Sequence, residues 1–308
     1  MRVAVMGVGA VGGYFGARLA ASGVNVTFIA RGEHLKVMQR NGLRIKSIQE
    51  DLEVHGDFVS SSDPVAPVDL VLLAVKSQDT EEAAKSLTPL MGETTAILSL
   101  QNGVDNTDRI SRLWGTDRSL AGVAYVSARI SAPGVIEHSG GGRIALGSLH
   151  TGGDQDNIRS VRSILAQAKI SCDISPDIRA VLWQKLAWNA PFCALSCLLH
   201  MTVGDIVASA SLQSLVKACI DEVREAARCR GVDLPPSTAQ DVLDFSTTLR
   251  HVKPSMLQDL EAGKPLEHEA LNGMVVKVLQ QAGKRAPINE ILYSALTRID
   301  QDLRAKRL

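Results

Sequence analysis

Three glycines near the start of the chain are spaced as in loops that hold phosphate groups. They form the pattern G-x-G-x-x-G directly after a short apolar run that suits a strand. Gly7 permits a tight turn, Gly9 lets a pyrophosphate approach the backbone, and Gly12 lets the next helix pack on the strand. That helix would direct free N–H groups at the phosphates. A glycine-rich turn without a ligand is the alternative, but this context favours a dinucleotide site made of Gly7, Val8, Gly9, Ala10, Val11 and Gly12.

Two basic residues indicate which dinucleotide this site would take. A site for NAD usually carries Asp or Glu at the end of the second strand, where it binds the adenosine ribose. This chain has Ala30-Arg31-Gly32 there, and a guanidinium suits the 2′-phosphate of NADP(H). Lys76 ends another strand and could reach a cofactor phosphate or a substrate anion. We therefore predict NADP(H) as the cofactor, with solvated surface charges as the alternative for both residues.

Polar side chains that could act on a substrate occur at two further places. Lys185 and Asn189 are four residues apart on a predicted helix and therefore share one face. A lysine on such an apolar helix costs free energy to bury unless it has a partner, so an exposed lysine is the simpler interpretation of Lys185 taken alone. Asn102 follows another strand and could hydrogen-bond cofactor or substrate, although Asn-Gly is also a common turn pair.

The first half of the sequence alternates between strands and helices. Strands are predicted at 2–6, 25–30, 69–75 and 95–100, with helices at 10–21, 80–90 and 104–114. Two longer β segments at 119–129 and 134–147 would add antiparallel strands at one sheet edge, before a helix at 155–168 and a strand at 169–174. This order predicts an α/β domain of the Rossmann type over residues 1–175.

The second half suits helices only, which predicts an all-α substrate and catalytic domain over residues 176–308. Breaks rich in proline and glycine separate six predicted helices. These helices are predicted at 178–200, 204–231, 236–251, 255–262, 267–283 and 288–306. Their apolar faces could pair between subunits in a homodimer or form an internal core.

The composition excludes several other classes of protein. The 33 basic and 33 acidic side chains leave no basic excess for nucleic acid or a membrane surface. No apolar run approaches the ~20 residues that span a bilayer. Five loosely spaced cysteines suggest a reducing compartment, and Cys193 and Cys197 are predicted to pack in a core without binding metal. We expect a cytoplasmic protein without a metal site.

Further motifs in the second half complete a resemblance that runs over nearly the whole chain. They are Trp183-x-Lys185-Leu186-x-x-Asn189, Ser255-Met256-Leu257-Gln258-Asp259, Glu267 and Asn272-Gly273. Together with the residues above, they resemble the ketopantoate reductase (2-dehydropantoate 2-reductase) family. The resemblance implies NADPH-dependent reduction of ketopantoate to pantoate. It also implies that Lys185 is the general acid and that Glu267 works with it. Asn102, Asn189 and Ser255 would bind the 2-oxo acid, and Arg31 and Lys76 would lie near the 2′-phosphate.

The chain departs from the family pattern at positions that bear on the substrate. Cys193 and Val252 stand where the family usually has Asn, and His268-Glu269 replaces Ile-Asp after the acidic residue. Fewer amides would suit a bulkier or more apolar 2-oxo acid. We expect His268 at the surface, with a place in the pocket as the alternative. Two other functions stay open: an NADP-dependent dehydrogenase of the same architecture for another oxo or hydroxy acid, and an NADP(H)-binding sensor without turnover.

Overall fold

The computed structural model describes residues 1–150 and 155–305, which form two compact units. Unit 1 comprises Met1–Gln101 and Asp105–Ile178, and unit 2 comprises Asn102–Val104 and Arg179–Leu308. The short segment Asn102–Val104 belongs to unit 2 because Val104 packs against the apolar core of the second half. Unit 2 therefore receives one polar side chain, Asn102, from the first half of the sequence.

A ten-stranded mixed sheet forms the centre of unit 1. Its strands follow the order β4-β3-β9-β8-β7-β6-β1-β2-β5, with β10 beside β9. The strands β5, β2, β1, β6, β7 and the start of β8 are parallel to their neighbours. The strand bounds are β1 Arg2–Met6, β2 Asn25–Ile29, β3 Leu43–Ser47, β4 Leu52–Val54, β5 Asp57–Val59, β6 Val68–Leu73, β7 Met91–Ser99, β8 Ser119–Ala132, β9 Val135–Ser148 and β10 Ser171–Ile174.

Helices cover both faces of this sheet because its central strands are apolar on both sides. Val3 and Val5 of β1 pack into one apolar cluster, and Ala4 and Met6 pack into another on the opposite face. The helices of unit 1 are α1 Ala10–Ala21, α2 Gly32–Asn41, α3 Thr80–Ser86, α4 Asn106–Trp114 and α5 Gln155–Gln167. Helices α1 and α5 supply buried residues to the first cluster, and α3 and α4 supply them to the second.

The strand order reverses direction at β1. Its last residue, Met6, pairs with Ile29 at the end of β2 and with Leu73 at the end of β6. The chain leaves all three strands at the same edge of the sheet. In open α/β sheets this reversal is where ligands bind, beyond the carboxyl ends of the strands.

Unit 2 is helical and encloses its own apolar core. Its longest helix carries Leu186, Ala187 and Phe192 into the centre of that core. The helices are α6 Ile178–Leu199, α7 Val203–Val207, α8 Ala210–Cys229, α9 Thr238–Ser246, α10 Ser255–Glu261, a π-helix at Glu269–Gly273, α11 Met274–Gln281 and α12 Pro287–Ala305. Within residues 1–150 and 155–305, no helix combines the length and apolarity that crossing a membrane requires. A Rossmann-type α/β part followed by an all-α part confirms the predicted fold class.

Two details of the predicted layout are wrong. The helix predicted at 204–231 is broken into α7 and α8, because Ser209 accepts a hydrogen bond from the backbone N–H of Leu212 and starts a new helix. The segment 134–147 does form an antiparallel pair with its neighbour, but it is not at the sheet edge. The strands β3 and β10 both pair with β9 in parallel and cover it.

Candidate active site

A side chain has no room at Gly7, in the loop after β1, or at Gly12, in the first turn of α1. Gly7 has φ +97°, and a Cβ there would lie 2.7 Å from the backbone nitrogen of Val75. A Cβ on Gly12 would lie 2.2 Å from the carbonyl oxygen of Gly7. Both contacts are with backbone, which cannot give way as a flexible side chain can. These glycines are required to bring β1, α1 and the end of β6 close together.

Gly9 differs because open space lies beside it. Apart from its two chain neighbours, no atom of the described part of the chain comes within 4 Å of a Cβ built there. Its φ of −81° is one that any residue adopts. Gly9 precedes the first turn of α1, which has no side-chain cap and no acidic residue. The first N–H groups of a helix have no partner within it. The loop thus offers unpaired N–H groups and a positive helix end, the arrangement that holds phosphate.

Arg31 and Lys76 leave the sheet at the same edge as this loop. Arg31 follows β2, precedes the first turn of α2, and has a side chain that is 71% exposed. Its Nη2 lies 3.6 Å from Oε1 of Glu82, which is also exposed. Such exposed pairs contribute at most ~1 kcal/mol, so Arg31 is available to an anion. Lys76 is half-buried and directly precedes a 3-10 turn at Ser77–Asp79.

Gln101 is a structural residue of unit 1. Its side chain is buried, its Nε2 donates to Oγ1 of Thr80 at 2.7 Å, and its Oε1 accepts from Oγ of Ser99 at 3.0 Å. Thr80 is in turn 2.9 Å from Oδ1 of Asn106. This network fixes the end of β7 within unit 1.

Lys185 lies in the middle of α6, beside other polar groups of unit 2. The residue keeps some exposure, but its surroundings desolvate the ammonium group. This burial lowers the pKa of Lys185 to about 8, while Glu267 and Cys193 act to raise it. A lysine in this environment is a proton donor that can also exist as the neutral amine near neutral pH.

Glu267 and Asn102 complete a cluster with Lys185. Glu267 is buried, and Nδ2 of Asn102 donates to its Oε2 over 3.5 Å. Glu267 is close enough to Lys185 to raise its pKa. Unit 2 therefore brings together an ammonium, a carboxylate and an amide from sequence positions far apart. This combination can stabilise a developing oxyanion and transfer a proton to it.

The other two predicted substrate residues lie in different environments. Asn189 is one turn after Lys185 on the same face of α6 and is buried. Ser255 is the first residue of α10 and is exposed. Asn189 therefore lies on the face that carries the polar cluster, whereas Ser255 is exposed at the start of α10.

His268 is not at the surface, so the expectation from sequence is wrong. Its residue is 3% exposed, and its ring stacks on Tyr293 of α12 with centroids 5.6 Å apart. Tyr293 donates its hydroxyl to Oε1 of Glu269 at 2.7 Å. Nδ1 of His268 has no hydrogen-bond partner within residues 1–150 and 155–305. The ring is buried because the chain enters a helix at this point and packs it against α12. Tyr293 is 25 residues away in the sequence, and no local pattern indicates this contact.

The helix after Glu267 begins as a π-helix, which the sequence did not predict. The N–H of Gly273 donates to the carbonyl of His268, five residues back, at 2.9 Å. π-turns are rare and often occur at functional sites. Nδ2 of Asn272 donates to the carbonyl of Ala190 on α6 at 3.1 Å and to Oδ1 of Asn289 at 2.9 Å. The π-helix is thereby tied to α6 one residue after Asn189.

Cys193 and Val252, which stand where the resemblance leads one to expect Asn, both pack in or against the apolar core of unit 2. Cys193 is buried in the core of unit 2, and half-buried Val252 packs against the same core. Cys197 is also buried, as the sequence predicts, and all five cysteines are free thiols. Burial raises the pKa of the Cys197 thiol well above its usual range. These cysteines therefore behave as small apolar residues.

Known proteins resemble this chain over its whole length. Residues 3–151 match the family "Ketopantoate reductase PanE/ApbA", and residues 177–300 match "Ketopantoate reductase PanE/ApbA C terminal". A 2-dehydropantoate 2-reductase of Pyrococcus abyssi is 31% identical over 301 residues, covering 96% of this chain and 97% of that protein. The crystal structure of a PanE/ApbA family ketopantoate reductase from Ralstonia eutropha JMP134 is 32% identical, with a TM-score of 0.91, covering 99% of this chain and 100% of that chain.

A dehydrogenase with another name shares the fold. The structure of D-mandelate dehydrogenase with NADH and anilino(oxo)acetate is 21% identical, with a TM-score of 0.92, covering 99% of each chain. At that identity the comparison concerns the fold alone.

Proposed function

This chain belongs to the ketopantoate reductase family, and we propose that it reduces a 2-oxo acid, with ketopantoate as the first candidate, at the expense of NADPH. The observation that carries the proposal is the cluster of Lys185, Glu267 and Asn102 in unit 2. In this proposal residues 1–175 bind the dinucleotide, and residues 176–308 bind the acid and supply the proton.

Lys185 is the general acid in this proposal. Reduction of the 2-oxo carbonyl leaves negative charge on its oxygen, and a nearby ammonium stabilises that charge and then protonates it. The pKa of Lys185 is about 8, so the group is mostly protonated at neutral pH and still releases its proton readily. An ordinary lysine, with a pKa near ~10.4, would be a weaker acid.

Glu267 keeps Lys185 protonated and oriented. Its carboxylate opposes the effect of burial on the pKa of Lys185. Asn102 donates to this carboxylate, and Asn189 lies on the same face of α6 as Lys185. Asn102, Asn189 and Ser255 are the residues that we assign to binding of the 2-oxo acid.

The glycine loop and the two basic residues of unit 1 are suited to NADP(H). A bound nicotinamide dinucleotide supplies the hydride. Gly7, Gly9 and Gly12 give its pyrophosphate access to the backbone, while Arg31 and Lys76 offer cations for the 2′-phosphate. The carboxylate that would favour the ribose of NAD is missing from the end of β2.

A second candidate substrate is a bulkier or more apolar 2-oxo acid. Cys193 and Val252 present apolar surface where the family usually has amides. A pocket with fewer hydrogen-bonding groups discriminates less against acids that lack hydroxyls. The two candidates share the same chemistry at Lys185 and differ only in the part of the acid that does not react.

Replacement of Lys185 tests the proposed chemistry. We expect Lys185→Ala to lower kcat by at least ~100-fold, the usual scale for loss of a positioned acid, while the Kd for NADPH stays within a few-fold of the wild type. Lys217→Ala, which removes an exposed lysine from α8, is the matched control. A kcat for Lys185→Ala close to that of Lys217→Ala would contradict the assignment.

A further inference from the structure

We infer that Asp300, on the last helix of unit 2, is a positioning residue that fixes Glu267 beside Lys185. This inference rests on the proposed function, because a positioning role for Asp300 requires that Glu267 and Lys185 act together in the reaction. Asp300 lies 33 residues after Glu267 in the sequence and is outside every motif described above. Its assignment comes from the hydrogen bonds around it.

The backbone directly before Glu267 is bound to Asp300. The N–H of Leu266 donates to Oδ1 of Asp300 at 2.8 Å, and both residues are buried. The other carboxylate oxygen, Oδ2, accepts from Nε of Arg304 at 2.5 Å. Both oxygens of this buried carboxylate are therefore satisfied, and one of them holds the main chain at the residue next to Glu267.

This hydrogen bond is needed because the chain has no regular structure at that point. Residues 264–267 lie between the end of α10 and the π-helix, and belong to neither a helix nor a strand. A buried backbone N–H outside regular structure must find another partner. Asp300 supplies that partner, so it determines where the backbone of Glu267 lies.

A second tether holds the chain on the other side of Glu267. Asn272, in the π-helix, donates to the carbonyl of Ala190 and to Oδ1 of Asn289. Asn289 and Asp300 both belong to the buried stripe of α12. Helix α12 therefore binds the chain both before and after Glu267, at Leu266 and at Asn272. Asn272 also links this segment to α6, the helix that carries Lys185.

Stability alone does not explain a carboxylate at position 300. The buried stripe of α12 also contains Leu292 and Leu296, and another leucine would continue it. Burial of a charged group costs more free energy than burial of an apolar one, and an ion pair often only offsets that cost. A carboxylate in this stripe is explained by its bond to the N–H of Leu266.

Displacement of Glu267 would change the pKa of Lys185 in a defined direction. The titratable groups that act on Lys185 are Glu267 and Cys193, and both raise its pKa against the effect of burial. A general acid must be protonated, so kcat falls as the pH rises through the pKa of Lys185. If Glu267 moves away, this pKa falls and the alkaline limb of the kcat profile moves to lower pH.

The experiment measures kcat against pH for three variants of Asp300. Asp300→Ala removes the acceptor, and Asp300→Glu keeps the charge but moves the acceptor by one methylene group. For both we expect kcat to fall by about 10- to 100-fold, the scale for a small misplacement of a catalytic group, and the alkaline limb to move down by at least ~0.5 pH unit. Asp300→Asn keeps an acceptor for the N–H of Leu266, so the alkaline limb of its kcat profile should lie at the same pH as in the wild type.

Asp302→Ala is the matched control on the same helix. Asp302 is half-exposed and pairs with Arg298 at 2.8 Å, so its loss should leave kcat and the limb unchanged. A merely destabilising substitution lowers the active fraction at every pH without moving the limb. Should Asp300→Ala fail to fold, Asp300→Glu gives the answer. An unshifted limb in a folded Asp300→Ala or Asp300→Glu variant would overturn the inference.

Glu267→Gln separates this inference from the proposed function. It should move the alkaline limb to lower pH because it removes the carboxylate charge itself. A limb that stays in place in Glu267→Gln would contradict the pairing of Glu267 with Lys185, and with it the proposed mechanism. If the alkaline limb moves in Glu267→Gln but stays in place in Asp300→Ala and Asp300→Glu, only the role of Asp300 is contradicted.

Discussion

At the scale of single residues, neighbours that are distant in sequence determine the environments of Lys185 and His268. Lys185 taken alone was more simply an exposed lysine, and only its desolvated position beside Glu267 gives it a pKa of about 8. His268 was expected at the surface and is buried against Tyr293. Both environments are created by residues distant in sequence, which a local pattern cannot reveal.

Arg31 gives a prediction about the cofactor that belongs to this scale. Its side chain is 71% exposed, and its only ion pair is the weak contact with Glu82, among the residues described here. We expect Arg31→Ala to raise the KM for NADPH by about 10- to 100-fold, as for loss of a charge-assisted contact of ~1.5–3 kcal/mol. The KM for NADH should change by less than about threefold, since NADH has no 2′-phosphate.

The control for this variant is Arg40→Ala, which removes another exposed arginine from the last turn of the same helix, α2. It should leave both KM values unchanged. An equal loss of affinity for NADPH and NADH in Arg31→Ala would show that Arg31 does not bind the 2′-phosphate.

At the scale of elements, the sequence predicts a glycine-rich turn from β1 into α1, and the structure has this turn. The glycines of this turn and of the first turn of α1 differ in the space around them. Gly12 is required for packing, since a Cβ there meets the carbonyl of Gly7, whereas Gly9 borders open space. Substitution by alanine should therefore have different consequences at the two positions.

We expect Gly9→Ala to change the free energy of unfolding by less than ~1 kcal/mol, because alanine can adopt this φ and meets no atom. Its Cβ would occupy the space of the pyrophosphate and raise the Kd for NADPH at least ~10-fold. Gly12→Ala should lower the free energy of unfolding by about 1–3 kcal/mol. Chemical denaturation and dinucleotide titration measure both quantities, and a Gly9→Ala protein with unchanged Kd would contradict the assignment of this loop.

The segment around Glu267 was the least predictable element. The helix predicted at 267–283 is present from Glu269 to Gln281, but it begins as a π-helix that no local pattern indicates. Within this π-helix, Asn272 donates to α6 and α12. One sequence signal could have indicated the hydrogen bond between Asp300 and the backbone just before Glu267. Asn289, Leu292, Leu296 and Asp300 recur at the spacing of one helix face, so a carboxylate stands in an apolar stripe. A charge at such a position requires a partner, although the partner itself, Leu266, could not be named.

At the scale of the whole molecule, the alternation of strands and helices followed by helices alone was sufficient to predict the fold class. The layout of the sheet beyond β8 was not predictable, because β3, β4 and β10 are short strands from distant parts of the sequence. Their pairing with β9 depends on non-local contacts rather than on any local pattern.

Turnover by the purified chain is the most direct test of the account. NADPH is mixed with ketopantoate, and separately with larger apolar 2-oxo acids, while the absorbance of the reduced nicotinamide and the 2-hydroxy acid formed are followed. The account predicts oxidation of NADPH that matches formation of the 2-hydroxy acid, with NADPH used in preference to NADH. Turnover only with the apolar acids would favour the second substrate candidate. Binding of NADPH without oxidation by any 2-oxo acid would contradict the central claim and indicate a sensor.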